Sequence, residues 1–203
     1  TNQVLVPVGN IVFGGSDANR SATITPAADQ TGMTTITVTV DDGSLTNKDA
    51  FILTVDPEPF DQWRRDSFSA AELLDPAVSG PLADSDNDTL KNIGEYALGT
   101  AACVSLDPSA GDDAGSAVSF VKVDEGVVIY PALLFNRRKS SADPNLTIAV
   151  EQTGDLIDWG SGPGFTVEVQ VVSINATFEQ ALVRSAKSIE SEPDQSMRIR
   201  FTR

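Results

Sequence analysis

The segment from residue 84 to residue 95 constrains this chain more than any other, because oxygen-bearing side chains recur along it at a fixed spacing. They fall at its positions 1, 3, 5, 9 and 12, which are Asp84, Asp86, Asp88, Asn92 and Glu95. Alternate residues of a tightly turned loop point inward, so these oxygens can converge on one point. Without a cation the carboxylates would repel one another. The spacing therefore predicts a calcium-binding loop.

This spacing is that of the EF-hand calcium loop. In such a loop the Leu90 carbonyl would supply position 7, Asn92 would bind directly or through water, and Glu95 would close the coordination sphere with both carboxylate oxygens. One position departs from the pattern, because Thr89 stands at position 6, where glycine normally makes the sharp turn. That departure predicts degraded geometry or affinity. The alternative is a solvated acidic turn in front of a helix.

A helix is predicted at the end of this loop. Leu90, Ile93 and Ala97 recur at i, i+3 and i+7 and form one apolar stripe, with Tyr96 at its border. Gly99 is the predicted C-terminal stop. Calcium would thus fix where the helix begins.

Composition excludes several functional classes. The net charge of the 203 residues is −15, which argues against nucleic acid and against anionic membrane surfaces, since both require a basic patch. The chain contains no histidine, the commonest catalytic base, and its single cysteine, Cys103, has no histidine to activate it. No apolar run approaches the roughly 18 residues that a membrane span requires. We therefore predict a protein that is not an enzyme and has no membrane span.

Residues 1–56 are predicted to form an all-β domain. Apolar runs at Val4–Val8 and Ile11–Phe13 precede a turn predicted at Gly14-Gly15-Ser16. Two later stretches alternate apolar and polar residues, with a turn predicted at 41–44 between them. The residues predicted to face the core are Ile36, Val38, Val40, Phe51, Leu53 and Val55.

This first segment resembles the C-terminal half of a bacterial cadherin-like or immunoglobulin-like tandem repeat. The likeness is carried by Ile24-Thr25-Pro26-Ala27-Ala28, Gly32, Ile36 to Gly43 and Phe51 to Val55. Such sandwiches need about seven strands, and only four or five are predicted here. Three explanations remain: the chain is cut from a larger protein, the sheet docks on its own downstream domain, or a neighbouring copy donates a strand. Strand donation would join copies head to tail into a filament.

Residues 57–99 are predicted to be a helical linker module that holds the calcium loop. Pro57 and Pro59 mark its start, an aromatic helix follows over Phe60–Phe68, and Ser69-Ala70-Ala71-Glu72 is a capping box. The loop resembles those of dockerin and thrombospondin type 3 repeats, although dockerin function requires two loops and only one is present. The whole module resembles one found near the C-termini of large secreted bacterial surface proteins. That resemblance implies an extracellular or cell-surface location.

Residues 100–117 form a polar connector, and residues 118–203 are predicted to be a second antiparallel sandwich. In the connector, Asp107, Asp112 and Asp113 would join a second ion site or lie in a solvated loop. In the second domain we predict a bulge or a strand end near Lys122, and two strands bent at Pro131 in the run from Val127 to Phe135. The last strand is predicted to place Met197, Ile199 and Phe201 inward, with Arg198 and Arg200 outside. This domain resembles the closing domain of the same secreted proteins.

The predicted fold is mainly β, with two antiparallel β-sandwich units joined by the helical calcium-loop insert. The first functional hypothesis is a non-catalytic, calcium-rigidified extracellular structural or adhesive protein, with copies of itself as partners. The alternative is a carbohydrate-binding or adhesive module of a secreted enzyme, which would bind extracellular polysaccharide. In that case Trp159 and Tyr130 would stack on sugars, and otherwise they are core residues. The basic cluster Arg137-Arg138-Lys139 is interpreted as a solvated turn, or as a contact for an acidic partner or the acidic loop.

Overall fold

Antiparallel strands make up most of the regular structure. A computed structural model describes residues 2–17, 19–28, 30–102 and 118–203. Strands account for 43% of it and helices for 14%, so the prediction of a mainly β chain with antiparallel sheets is confirmed. The chain divides into two compact units, Thr1–Gln62 and Trp63–Arg203. The second unit contains both the predicted calcium loop and the predicted C-terminal β-domain.

The first unit contains two β-hairpins. Its strands are β1 (Ile11–Ser16), β2 (Asn19–Ile24), β3 (Gly32–Asp41) and β4 (Thr46–Val55). β1 pairs with β2 and β3 pairs with β4. The predicted turn at 41–44 is present, since the Asp41 and Asp42 carboxylates accept hydrogen bonds from backbone N–H groups of residues 43–45. The predicted turn at Gly14-Gly15-Ser16 is wrong, because these residues continue β1.

The core of the first unit covers only one end of its hairpins. Leu5, Val6 and Ile36 are buried, and Val38 is partly buried. The prediction that Val40 and Phe51 face the core is wrong, because 66% and 46% of their surfaces are exposed. Alternation identifies the face of a strand on which a residue lies. It does not show how far the facing layer extends.

The second unit begins with short helices. They are α1 (Pro59–Ser67), in which the boundary between the units falls, α2 (Pro76–Ser79) and α3 (Asn92–Leu98). The predicted capping box is present, because Ser69 N donates to Glu72 Oε2 at 2.8 Å and Glu72 N donates to Ser69 Oγ at 3.4 Å. Gly99 ends α3 with φ 79°, as predicted. Among the described residues, no helix has the length and apolar character to cross a membrane.

Six strands lie in residues 118–203 of the second unit. They are β5 (Val118–Asp124), β6 (Ile129–Arg138), β7 (Thr147–Thr153), β8 (Thr166–Ser173), β9 (Phe178–Ser185) and β10 (Ser196–Thr202). One sheet has the order β5-β6-β9-β8, and β7 pairs with β10. Both sheets and α3 contribute to a single buried cluster of Leu98, Leu133, Phe135, Val150, Ala181, Val183 and Met197. The helix that follows the acidic loop therefore lies in the core of this unit.

Three local predictions in the second unit are wrong. β6 runs without a break through Pro131. The pairing of β6 with β9 begins at Ala132, so the missing N–H of Pro131 removes no hydrogen bond between these two strands. There is no bulge at Lys122, because the register of β5 is regular as far as its end at Asp124, and the bulge lies instead in β8, between Glu168 and Gln170. Residues 137 and 138 lie in β6 and not in a turn.

Candidate metal centre

The backbone of the acidic loop is sharply turned at two residues. Asn87 has φ 62° and Thr89 has φ 79°, both in the left-handed region. Asparagine tolerates that region, whereas a β-branched residue such as threonine is strained there. The turn expected at position 6 of an EF-hand loop is thus made by Thr89 without the usual glycine.

Three aspartates of the loop converge. Asp84, Asp86 and Asp88 are half-buried, and each offers a carboxylate oxygen within 4.8 Å of those of the other two. Backbone N–H groups of the loop hold them in place: Asp88 N donates to Asp84 Oδ1 at 3.2 Å and to Asp86 Oδ1 at 3.3 Å. Leu90 N donates to Asp88 Oδ1 at 2.7 Å. This cluster could bind a metal ion.

Glu95 supplies independent support for a cation. Its side chain is buried, with 1% of the residue exposed, and neither carboxylate oxygen has a hydrogen-bond partner among the described residues. Burial, and then the charges of the three aspartates, raise the pKa of Glu95 to about 8. One oxygen of Asp86 is also buried without a partner, and burial followed by the charge of Asp88 raises the pKa of that carboxyl. Buried carboxylates normally have partners, so these orphan oxygens fit a cation ligand set.

Asn92 holds the two ends of the loop together. It is buried, and its amide nitrogen donates to the Val78 and Gly80 carbonyls, both at 2.9 Å. Its Oδ1 lies 3.0 Å from Ser85 Oγ, which also lies 2.6 Å from the Val78 carbonyl. These contacts give Asn92 a bracing role that the spacing argument missed. The proposed ligand roles of Asn92 and of the Leu90 carbonyl stay predictions.

A polar cluster around Tyr96 of α3 was also missed from sequence. Tyr96 Oη donates to Asp143 Oδ2 at 2.8 Å, and both residues are buried. The Arg138 guanidinium lies 3.9 Å from the centroid of the Tyr96 ring. No sequence spacing links three residues on α3, on β6 and in the loop before β7, so no local signal could have found this cluster.

The other candidate residues have contacts of their own. The Arg198 guanidinium lies 4.0 Å from the Trp159 ring centroid, and that of Arg184 lies 3.9 Å from the Tyr130 ring centroid. An arginine side chain therefore covers one face of each aromatic ring that was predicted to stack on sugars. Arg137 pairs with Glu179 on the neighbouring strand β9 and with Glu168 on β8, one strand further across the sheet. The predicted residues Cys103, Asp107, Asp112 and Asp113 lie outside the described residues.

Comparison of the chain with protein-family models, with curated proteins and with solved structures found no match. The resemblances to cadherin-like repeats and to calcium loops of secreted bacterial proteins therefore stay predictions.

Proposed function

We propose that this chain is a non-catalytic extracellular structural or adhesive protein that calcium rigidifies. The observation that carries the proposal is Glu95, whose buried carboxyl oxygens have no hydrogen-bond partner among the described residues and whose pKa is raised by burial and then by the charges of the three converging aspartates. Asp84, Asp86 and Asp88 would hold the ion at the mouth of the loop. Glu95 would bind it from the core side with both oxygens.

The donor set favours calcium over other metals. All the proposed ligands are oxygens, the chain has no histidine, and hard oxygen ligands suit calcium and magnesium rather than transition metals. A ligand set that includes a bidentate carboxylate suits the larger coordination sphere of calcium. Calcium-loop modules of extracellular proteins bind at roughly 0.1–1 mM. The strained Thr89 fits such modest affinity, which supports an extracellular location.

The first unit supports a role in assembly. β1–β2 and β3–β4 are separate two-stranded sheets, so strand edges remain unpaired among the described residues. A groove of ≈ 460 Å³ lies between the hairpins, where Phe13, Val38 and Val40 contribute to its lining. Phe13 is 72% exposed. A strand donated by a second copy would cover this groove, which is the basis for proposing head-to-tail filaments.

Isothermal titration calorimetry of the full chain with calcium tests the proposed site. We expect one calcium per chain, and binding at least about tenfold weaker in Asp86→Asn, because a charged ligand is lost. Asp194→Asn is the matched control, since Asp194 is an exposed aspartate outside the loop. Absence of binding to the unmodified chain at millimolar calcium would contradict the proposal.

A further inference from the structure

We infer that the acidic loop is a folding element of the second unit, so that calcium binding and the folding of residues 63–203 form one coupled equilibrium. The inference rests on the proposed calcium site. It goes beyond that site because the ion would stabilise two β-sheets that supply none of its ligands.

The helix α3 is buried along its whole length. All seven residues of this helix are buried. Leu98 at its C-terminal end belongs to the core cluster formed by strands of both sheets, and Leu90, just before the helix, packs against the same cluster. A helix of seven residues is too short to be stable alone. It therefore persists only while it is packed against the sheets.

Side-chain contacts attach α3 laterally to the four-stranded sheet. Tyr96 donates to the buried Asp143 and lies under the Arg138 guanidinium, whose Nε also donates to the Tyr96 carbonyl at 3.3 Å. Arg138 also stacks at 4.7 Å over the Phe178 ring of β9. These contacts attach the residue next to Glu95 directly to the four-stranded sheet.

These attachments prevent Glu95 from reaching water while α3 stays packed. Glu95 would need to reach water to satisfy its carboxylate, but that movement would withdraw Tyr96 and Leu98 from the core. A packed α3 therefore leaves the Glu95 side chain desolvated, with no hydrogen-bond partner for either oxygen among the described residues. A bound cation removes this conflict. Losing the cation favours release of α3, and release of α3 opens the core that both sheets share.

The positions of the tryptophans allow a direct test in the full chain. The chain has two, Trp63 and Trp159, and both belong to the second unit. Trp63 is a reporter close to the loop, because its ring centroid lies 5.7 Å from that of Tyr96. Trp159 reports on the sheets through its contact with Arg198 of β10. In Trp63→Phe, fluorescence comes from Trp159 alone.

Thermal unfolding of Trp63→Phe should be followed by Trp159 fluorescence with EDTA and with calcium at about 100 times its measured dissociation constant. We expect calcium to raise the unfolding temperature reported by Trp159 by about 5 °C or more. Hydrogen exchange of the unmodified chain provides a second measurement. Calcium should slow exchange in β6 and β9 by at least about tenfold.

Glu95→Gln tests whether the Glu95 carboxylate couples calcium binding to the stability of the second unit. It keeps the shape of the side chain and removes its charge, so we expect it to abolish the calcium-dependent shift and to leave the calcium-free protein at least as stable as the parent. Glu190→Gln is the matched control, because Glu190 is an exposed glutamate of the same unit, and it should keep the full shift.

The outcomes separate the inference from the proposed function. If calorimetry shows calcium binding while the Trp159 transition and the exchange of β6 and β9 stay unchanged, the inference is overturned and the calcium site stands. A full shift in Glu95→Gln would overturn the inference as well. If the unmodified chain does not bind calcium, both the proposed function and the inference fail.

Discussion

At Thr89 the sequence departs from the calcium-loop pattern, which has glycine at this position. The backbone there nevertheless adopts the conformation that the pattern requires. Its φ of 79° is the conformation that glycine would adopt without a steric cost. The nearby carboxylates supply the reason that the turn forms, since Thr89 N donates to Asp84 Oδ2 at 3.1 Å. The convergence of the aspartates thus imposes a strained backbone on a residue unsuited to it.

Replacing Thr89 with glycine should relieve this strain. We expect Thr89→Gly to stabilise the second unit by about 1 kcal/mol, less than the full cost of the strain, because glycine also gains freedom in the unfolded chain. Thermal unfolding at saturating calcium, followed by tryptophan fluorescence, would measure the gain. Asn87→Gly is the control, with a smaller expected gain, because asparagine already tolerates its φ of 62°. If Thr89→Gly destabilises the unit instead, a contact of the threonine side chain contributes more free energy than the backbone strain costs.

At the scale of the element, the paired strands β7 and β10 are held together by a carboxylate between two arginines. Glu151 of β7 is nearly buried and accepts hydrogen bonds from Arg198 Nε at 2.8 Å and Arg200 Nε at 2.6 Å. Burial alone would raise the pKa of Glu151, but the hydrogen bonds from Arg200 and Arg198 outweigh it and hold the pKa below its ordinary value of 4.5. The folded state therefore favours the ionised carboxylate.

This lowered pKa determines how the contribution of Glu151 to folding stability changes with pH. The stabilisation by Glu151 is present above the unfolded pKa and is lost as the pH falls through the lower folded value. We expect Glu151→Gln to lower the unfolding temperature by about 3–6 °C at pH 7, because two arginines lose their anionic partner, and the difference should shrink below pH 4.5.

Calorimetric unfolding of both proteins between pH 7 and pH 3 would test this prediction. Glu125→Gln is the matched control, since the Glu125 side chain is 46% exposed where it pairs with Arg184. Exposed pairs contribute little, so this variant should change the unfolding temperature much less. A Glu151→Gln difference that stays constant with pH would contradict the proposed cause.

At the scale of the whole molecule, the proposed assembly depends on the apolar groove of the first unit. We expect Phe13→Ser to reduce concentration-dependent association of the full chain, because it removes a groove side chain that a donated strand would cover. Sedimentation velocity would measure the association, and negative-stain electron microscopy with and without chelator would show whether fibres form.

Ile52→Ser is the matched control for this prediction. Ile52 is 70% exposed, close to the exposure of Phe13, but it pairs with Thr35 and so lies on the face of its hairpin opposite to Val38. Its replacement should leave association unchanged. Equal loss of association in both variants would indicate non-specific hydrophobic contact, and a monomer at all concentrations would contradict the filament.

Features that depend on neighbours in sequence were predictable. The capping box at Ser69, the αL stop at Gly99 and the turn at residues 41–44 each follow from a few adjacent residues, and each is present. The orientation of the last strand was also predictable, because Arg198 and Arg200 are exposed while Met197 is buried. Alternation alone determines that orientation.

Features that depend on another layer of structure were not predictable. The stripe of Leu90, Ile93 and Ala97 predicted a helix with one apolar face, but α3 is buried on all sides, including Glu95. The alternation through Val40 likewise predicted burial, but Val40 is 66% exposed among the described residues. Periodicity describes one element and contains no information on what surrounds it.

The sequence alone determined that the chain is mainly β and that carboxylates recur at a spacing suited to a cation, because both are properties of local order along the chain. Only the tertiary structure decided that Glu95 is buried without a partner and that Asn92 braces the loop. It also decided that Tyr96 joins α3 to β6 and Asp143. Burial and hydrogen-bond partners depend on residues far apart in the sequence, and both are determined only when the chain has packed.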